Sequence, residues 1–162
     1  MKIIKNVNVI EQAVNFVYGL AGDPPHIGHI QAIKYLLSNK NSTVWIVLSI
    51  AHAYGKKTAP YEIRKKWLNI LLGSLLTEDE KARIILKDVE KDILSLNPEK
   101  QAVYSIDLKE YFILKYPDQK FIWAFGEDNG NEESIKKFKD YKKIVEWDIL
   151  SIPEYFKLHS TD

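Results

Sequence analysis

The stretch Gly19-Leu20-Ala21-Gly22-Asp23-Pro24-Pro25-His26-Ile27-Gly28-His29 governs how the rest of the chain is read. Just before it, Val14, Phe16, Val17 and Tyr18 form a β-branched and aromatic run ending at Gly19, the pattern of a buried strand. Gly22 to Pro25 is a breaker cluster. Beyond it Ile30, Ile33, Leu36 and Leu37 recur at helical spacing until Ser38 to Ser42 interrupt them. A strand that passes through a glycine-bearing loop into a helix aims backbone N–H groups and a helix N-terminus at one place, where an anion can sit. Glycines there allow close backbone approach. His26 and His29 bring two imidazoles to the same loop, with Gly28 between them. An imidazole can donate to a phosphoryl oxygen, and an imidazolium stabilises charge that builds there. The spacing alone is equally that of two loop histidines beside a Pro-Pro turn.

Outward from this loop the alternation continues. Val44 to Ile50 reads as a second strand, apolar on both faces. The loop His52 to Pro60 follows, with Pro60 where a first helical turn tolerates proline. Ile63, Trp67, Ile70, Leu71 and Leu75 make the apolar stripe of an amphipathic helix. Arg83 to Leu86 is a third strand, and Ser105 can cap a helix running to about Lys115, ended by Pro117. Phe121 to Phe125 is a fourth apolar strand, with Trp123 read as core. Glu132 to Lys143 predicts a polar helix whose lysines form a solvated face, and Ile144 to Ile152 one or two short strands. Buried strands alternating with helices predict an α/β domain with a mainly parallel sheet flanked by helices. Its ligand crevice belongs at the carboxyl ends of the strands.

Composition narrows the function. The chain has 162 residues, which at about 150 residues per domain predicts one domain over 1–162, with 1–13 an N-terminal extension before the first core strand. It is 46% hydrophobic and 28% charged, ordinary globular usage rather than a disordered or repetitive scaffold. A net charge of +1 offers no global basic field for nucleic acid or an anionic membrane. The absence of cysteine excludes disulfides, thiolate metal sites and thiol nucleophiles. The four histidines lack the spacing of a zinc site. Met1 to Val9 lacks a signal-peptide pattern and no apolar run reaches membrane-span length, so a cytoplasmic location is expected. A P-loop and a nucleophile elbow are both missing.

His26-Ile27-Gly28-His29 after a glycine-bearing strand end resembles the G-G-[ST]-F-D-P-x-H-x-G-H signature of the nucleotidyltransferase superfamily, whose fold is Rossmann-like. Gly19, Asp23, Pro24, His26, Gly28 and His29 match it; Leu20, Ala21 and Gly22 stand where the family has a second Gly, a hydroxyl residue and Phe. The string HIGH also occurs in class I aminoacyl-tRNA synthetases, but the lysine-rich second loop they need is absent. His52 to Lys57 followed by Ala59-Pro60-Tyr61-Glu62-Ile63-Arg64 is similar to the corresponding loop and helix start of bacterial nicotinate mononucleotide adenylyltransferases. Tyr104-Ser105-Ile106-Asp107-Leu108, Tyr116-Pro117 and Gly126-Glu127-Asp128-Asn129 resemble that family's Y-[ST]-x-D-T-L, YP and G-x-D-N series.

The resemblance implies an enzyme of NAD biosynthesis that joins ATP to nicotinate or nicotinamide mononucleotide, with Mg²⁺ carried on the ATP phosphates. It implies that His26 and His29 are catalytic. Gly19, Asp23, Gly28, Lys56, Lys57, Arg64, Gly126 and Asp128 would bind ATP, and Tyr104, Ser105, Asp107 and Phe138 the mononucleotide. Asp128 also fits a plain Asp-Asn-Gly turn, and Phe138 or Tyr141 plain helix packing. His159-Ser160-Thr161-Asp162 resembles the opening of the family's S-[ST]-T-x-I-R motif, which assigns Ser160 and Thr161 to the triphosphate; the sequence ends before the arginine. Other readings are pantetheine-phosphate adenylyltransferase, which would want an R-G-L-R segment not found here, glycerol-phosphate cytidylyltransferase, and a non-catalytic nucleotide-binding module. The expected partners are the two nucleotides, with neither nucleic acid nor membrane, and self-association is left open.

Overall fold

Central strands that are apolar on both faces demand helices on both sides. The computed structural model describes residues 2–50 and 57–154. Six strands form one wholly parallel sheet: β1 (Ile3–Ile4), β2 (Val14–Leu20), β3 (Ser42–Leu48), β4 (Ile84–Ile85), β5 (Phe121–Gly126) and β6 (Ile149–Ile152). Their spatial order is β1-β6-β5-β2-β3-β4. The α-helices among the described residues are α1 (Ile27–Leu37), α2 (Tyr61–Leu75), α3 (Glu78–Ala82), α4 (Val89–Leu96), α5 (Ser105–Lys115), α6 (Glu132–Ile135) and α7 (Tyr141–Ile144).

Alternation along β2 assigns the two cores. Val14, Phe16, Tyr18 and Leu20 face a cluster with Ile30, Ile33 and Leu36 of α1 and Leu68 and Leu72 of α2. Val17 faces the other way, with Trp45 and Trp123 at the same register on β3 and β5. Phe112 of α5 lies edge-on to Trp45, with ring centroids 5.2 Å apart. Trp123 is fully buried, and its indole N–H donates to the Ile144 carbonyl at 2.9 Å. Burying such side chains contributes about 1.5–3 kcal/mol each.

The chain leaves β2 toward β3 on one side, yet β5 lies on the other. That reversal opens a crevice at the carboxyl ends of β2 and β5, and α1 begins beside it.

Several elements differ from the sequence expectation. Residues 3–10, expected ahead of the first core strand, supply the edge strand β1 and buried Ile4, Val7 and Ile10. The polar helix expected over Glu132 to Lys143 is two short helices, α6 and α7, separated by Asp140 at φ 53°, which a continuing helix cannot accommodate. Ser105 does not cap α5; Tyr104 does, and its N–H donates to the Asp107 carboxylate at 2.9 Å. Most of the stripe read on α2 faces outward, with Trp67 39% and Ile70 56% exposed, while Leu71 packs against the core. The buried face of that helix is Arg64, Leu68 and Leu72, a row at i, i+4, i+8.

Candidate active site

The crevice holds a cavity of about 310 Å³. Tyr18 to Pro24 form one wall, Ala124 to Gly126 with Asn129 the other, and His26 and His29 close the end. Gly22 adopts φ +59°, a conformation glycine takes without strain, and the Asp23–Pro24 peptide is cis.

Both imidazoles are oriented by backbone amides. His26 is the N-cap of α1 and its Nδ1 accepts from Gly28 N–H at 3.1 Å. His29 reaches back so that its Nδ1 accepts from His26 N–H at 3.0 Å. The rings stack, with centroids 3.9 Å apart. An amide N–H only donates, so each Nδ1 is an unprotonated acceptor and the proton of each neutral ring sits on Nε2. Burial, assisted by the charge of His26, pushes His29 down to about 4. His29 is therefore a neutral donor near pH 7, where the sequence had left room for an imidazolium. A helix N-terminus and two Nε2–H donors beside a cavity form a site for an anion with several oxygens.

The other expected residues separate into groups. Gly19, Asp23 and Gly126 lie on the cavity wall, and Gly28 holds His26 through its amide. Asp23 Oδ1 accepts from Ala59 N–H at 3.3 Å, tying this loop to the start of α2. Lys57 is exposed just before α2. Asp128 is exposed, and its carbonyl accepts from Asn131 Nδ2 and Ser134 Oγ, the turn reading of that segment. Its neighbour Asn129 is the one on the cavity wall, a member of the same Gly-x-Asp-Asn run that the sequence had not singled out.

Arg64 departs furthest from expectation. Its guanidinium is fully buried and bonded to four backbone carbonyls, which take four of its five N–H groups. On the α5 side, Asp107 is buried and accepts from Tyr104 N–H and from Lys100 Nζ at 3.0 Å. The Tyr104 ring lies under Lys139 Nζ at 4.8 Å, and Ser105 is half-buried in the first turn of α5. Phe138 packs edge-on against Phe125, whose residue lines the cavity. Lys56, Ser160 and Thr161, with His52 and His159, lie outside the described residues. Among the described residues no group of three or more His, Asp or Glu side chains could hold a metal ion, and no helix is long and apolar enough to cross a membrane.

A parallel sheet with its strand order reversing at β2, and with α1 starting at that reversal, is a Rossmann-like fold. Nicotinic acid mononucleotide adenylyltransferase of Plasmodium falciparum, solved in complex with NaAD, superposes with a TM-score of 0.70 over 93% of this chain and 69% of that one, at 21% identity. In sequence the chain is similar to the nicotinate-nucleotide adenylyltransferases, as its motifs had suggested. A relative named "Probable nicotinate-nucleotide adenylyltransferase" from Fervidobacterium nodosum is 28% identical over 130 residues, 80% of this chain and 56% of the relative. One of the same name from Chlorobium limicola is 27% identical over 135 residues, 83% of this chain and 60% of the relative. The chain thus spans 56–60% of the length of these two relatives. No protein-family model matches it.

Proposed function

We propose that the chain is an adenylyltransferase that joins ATP to nicotinate or nicotinamide mononucleotide, giving the dinucleotide and pyrophosphate. One observation carries this reading: His26 and His29 line the cavity beside the N-terminus of α1, and each spends Nδ1 on a backbone amide, which leaves Nε2 as the donor of the neutral ring. In the reaction an oxygen of the mononucleotide phosphate attacks the α-phosphorus of ATP, the bond to the bridging oxygen breaks, and pyrophosphate leaves with that electron pair. No protein nucleophile is needed, so catalysis is positioning plus charge stabilisation.

In this reading the imidazole Nε2–H groups donate to the phosphate oxygens as charge moves toward the leaving group. Gly19, Asp23 and Gly28 shape the cradle, with Lys57, Lys56, Ser160 and Thr161 adding contacts to the triphosphate. Gly126, Asp128 and Asn129 form the adenosine side. Tyr104, Ser105 and Phe138 form the acceptor side, and Asp107 holds the start of α5 beneath it. Mg²⁺ arrives on the ATP phosphates; the donors lining the cavity suit a metal-bound polyphosphate rather than a bare cation. A cytoplasmic location belongs to the same proposal.

The test is pyrophosphate release from ATP and Mg²⁺ with nicotinate mononucleotide, nicotinamide mononucleotide and phosphopantetheine as separate acceptors. Release with a pyridine mononucleotide alone is the expected outcome, and the faster of the two settles acid against amide. ATP binding without release from any acceptor supports the second reading, a non-catalytic nucleotide-binding module, which the hydroxyl-free Ala21 and the inward-turned Arg64 favour.

A further inference from the structure

A fully buried arginine needs an account. Arg64 is 0% exposed, and the ion pairs among the described residues do not include it. Desolvating a guanidinium is costly unless its N–H groups are bonded. Here the described residues take four of its five. Nε donates to the Ala59 carbonyl at 2.7 Å. Nη1 donates to Ala21 at 2.6 Å and Ser49 at 2.7 Å, and Nη2 to Ile50 at 3.1 Å.

These carbonyls belong to three separate segments that meet at the crevice: the loop after β2, the end of β3 and the approach to α2. Ala21 lies on the cavity wall itself. Carbonyl oxygens at the carboxyl ends of parallel strands carry partial negative charge toward the crevice, where they would oppose a polyphosphate. Arg64 turns the Ala21 carbonyl inward, against those of Ser49 and Ile50. Two further bonds close the same frame: Ser49 N–H donates to the Leu20 carbonyl at 3.1 Å, and Ala59 N–H to Asp23. A lysine could not do this, because a single ammonium lacks the rigid fork that reaches three segments at once.

From this geometry we infer that Arg64 is a positioning residue, which fixes the backbone of Gly19 to Asp23 in the form that receives the polyphosphate of a nucleoside triphosphate without touching it. The inference rests on the ATP reading above. It predicts that the phosphates, and not the nucleoside, sense the loss of the fork.

The experiment measures equilibrium binding of ATP, inorganic triphosphate and adenosine to the 162-residue chain and to its Arg64→Met and Arg64→Lys variants, with the fold of each checked by circular dichroism. ATP and triphosphate affinity should fall by about tenfold or more in both variants, while adenosine affinity stays within about twofold. Equal weakening of all three ligands, or wild-type ATP affinity in Arg64→Lys, overturns the inference and leaves the ATP reading standing. Failure of both variants to fold even in the cold overturns it too, since Arg64 is then a brace of the fold alone. A wild-type chain that binds neither ATP nor triphosphate overturns the ATP reading and this inference together.

Discussion

The carboxyl end of β2 and the start of α5 both carry polar residues that a motif can pick out, yet the fold treats them oppositely. At β2 the two imidazoles line the cavity, and each spends only one of its two nitrogens on the backbone. At α5 the Asp107 carboxylate is buried, with one oxygen bonded to Lys100 and the other to Tyr104 N–H. The first arrangement is oriented but not used up. The second is used up by the protein itself. Motif residues become ligand groups only where local bonding leaves them a donor or acceptor to give.

This contrast is most directly broken at the histidines. His26→Ala and His29→Ala should each lower pyrophosphate-releasing turnover by about 10²–10³-fold, the usual cost of removing a donor aimed at developing negative charge. His26→Ala also loses an N-cap contact, worth about 1 kcal/mol, so its melting temperature should fall by only a few degrees. Turnover at the wild-type level in both variants would leave the β2 loop no better a candidate than the α5 segment.

A second test uses acidity. Burial pushes the Glu90 carboxyl up to about 7, although the bond from Ile50 N–H and the charge of Arg64 pull the other way. The folded chain therefore holds this proton more tightly than the unfolded chain. The group's contribution is most favourable below about pH 4.5 and is lost as pH rises toward 7. His29 has the opposite sign: its contribution is present above about pH 6.5 and is lost as pH falls toward 4. Glu90→Gln, which keeps an acceptor for Ile50, should raise stability at pH 8 by about 1–3 kcal/mol and change little at pH 4. His29→Asn should instead flatten the acid side of the curve. Thermal melts across pH 4–8 read both, and a Glu90→Gln gain equal at both ends would refute the titration argument.

The central strands were legible because burial on both faces writes itself as apolar runs, as in residues 16–18 of β2 and 44–48 of β3, whereas the two-residue edge strand β1 left no such run. The histidine loop was legible because its chemistry is packed into consecutive residues. Strand order was not: β1 pairs with β6 between Ile3 and Ile149, and no local pattern encodes a partner so distant. Arg64 was assigned to the phosphates because Ala59 to Arg64 resembles a helix start in which an arginine serves them. Only the convergence of three loops explains why it sits at the buried face of α2, while Trp67 and Ile70 face outward. Asn129 was missed for a smaller reason, since the register of a turn decides which of two neighbours meets the cavity.

The smallest expected effect is at Asp107. Its carboxylate closes the first turn of α5 and pairs with Lys100, which is 35% exposed at its side chain, so solvent screens part of that attraction. The Asp107→Ala variant should lose about 1–2 kcal/mol of stability, chiefly from the orphaned Tyr104 N–H and the lost helix-start charge. Affinity for ATP should stay within about twofold, because the β2 cradle lies on another element, while the KM for the mononucleotide rises a few-fold as the start of α5 loosens. The contrast between the two regions therefore appears as a split between substrates: histidine variants lose turnover, Asp107→Ala loses stability and acceptor binding. Equal loss of ATP and mononucleotide affinity in Asp107→Ala would mean that the two regions form one site, with the buried carboxylate as much a part of it as the imidazoles.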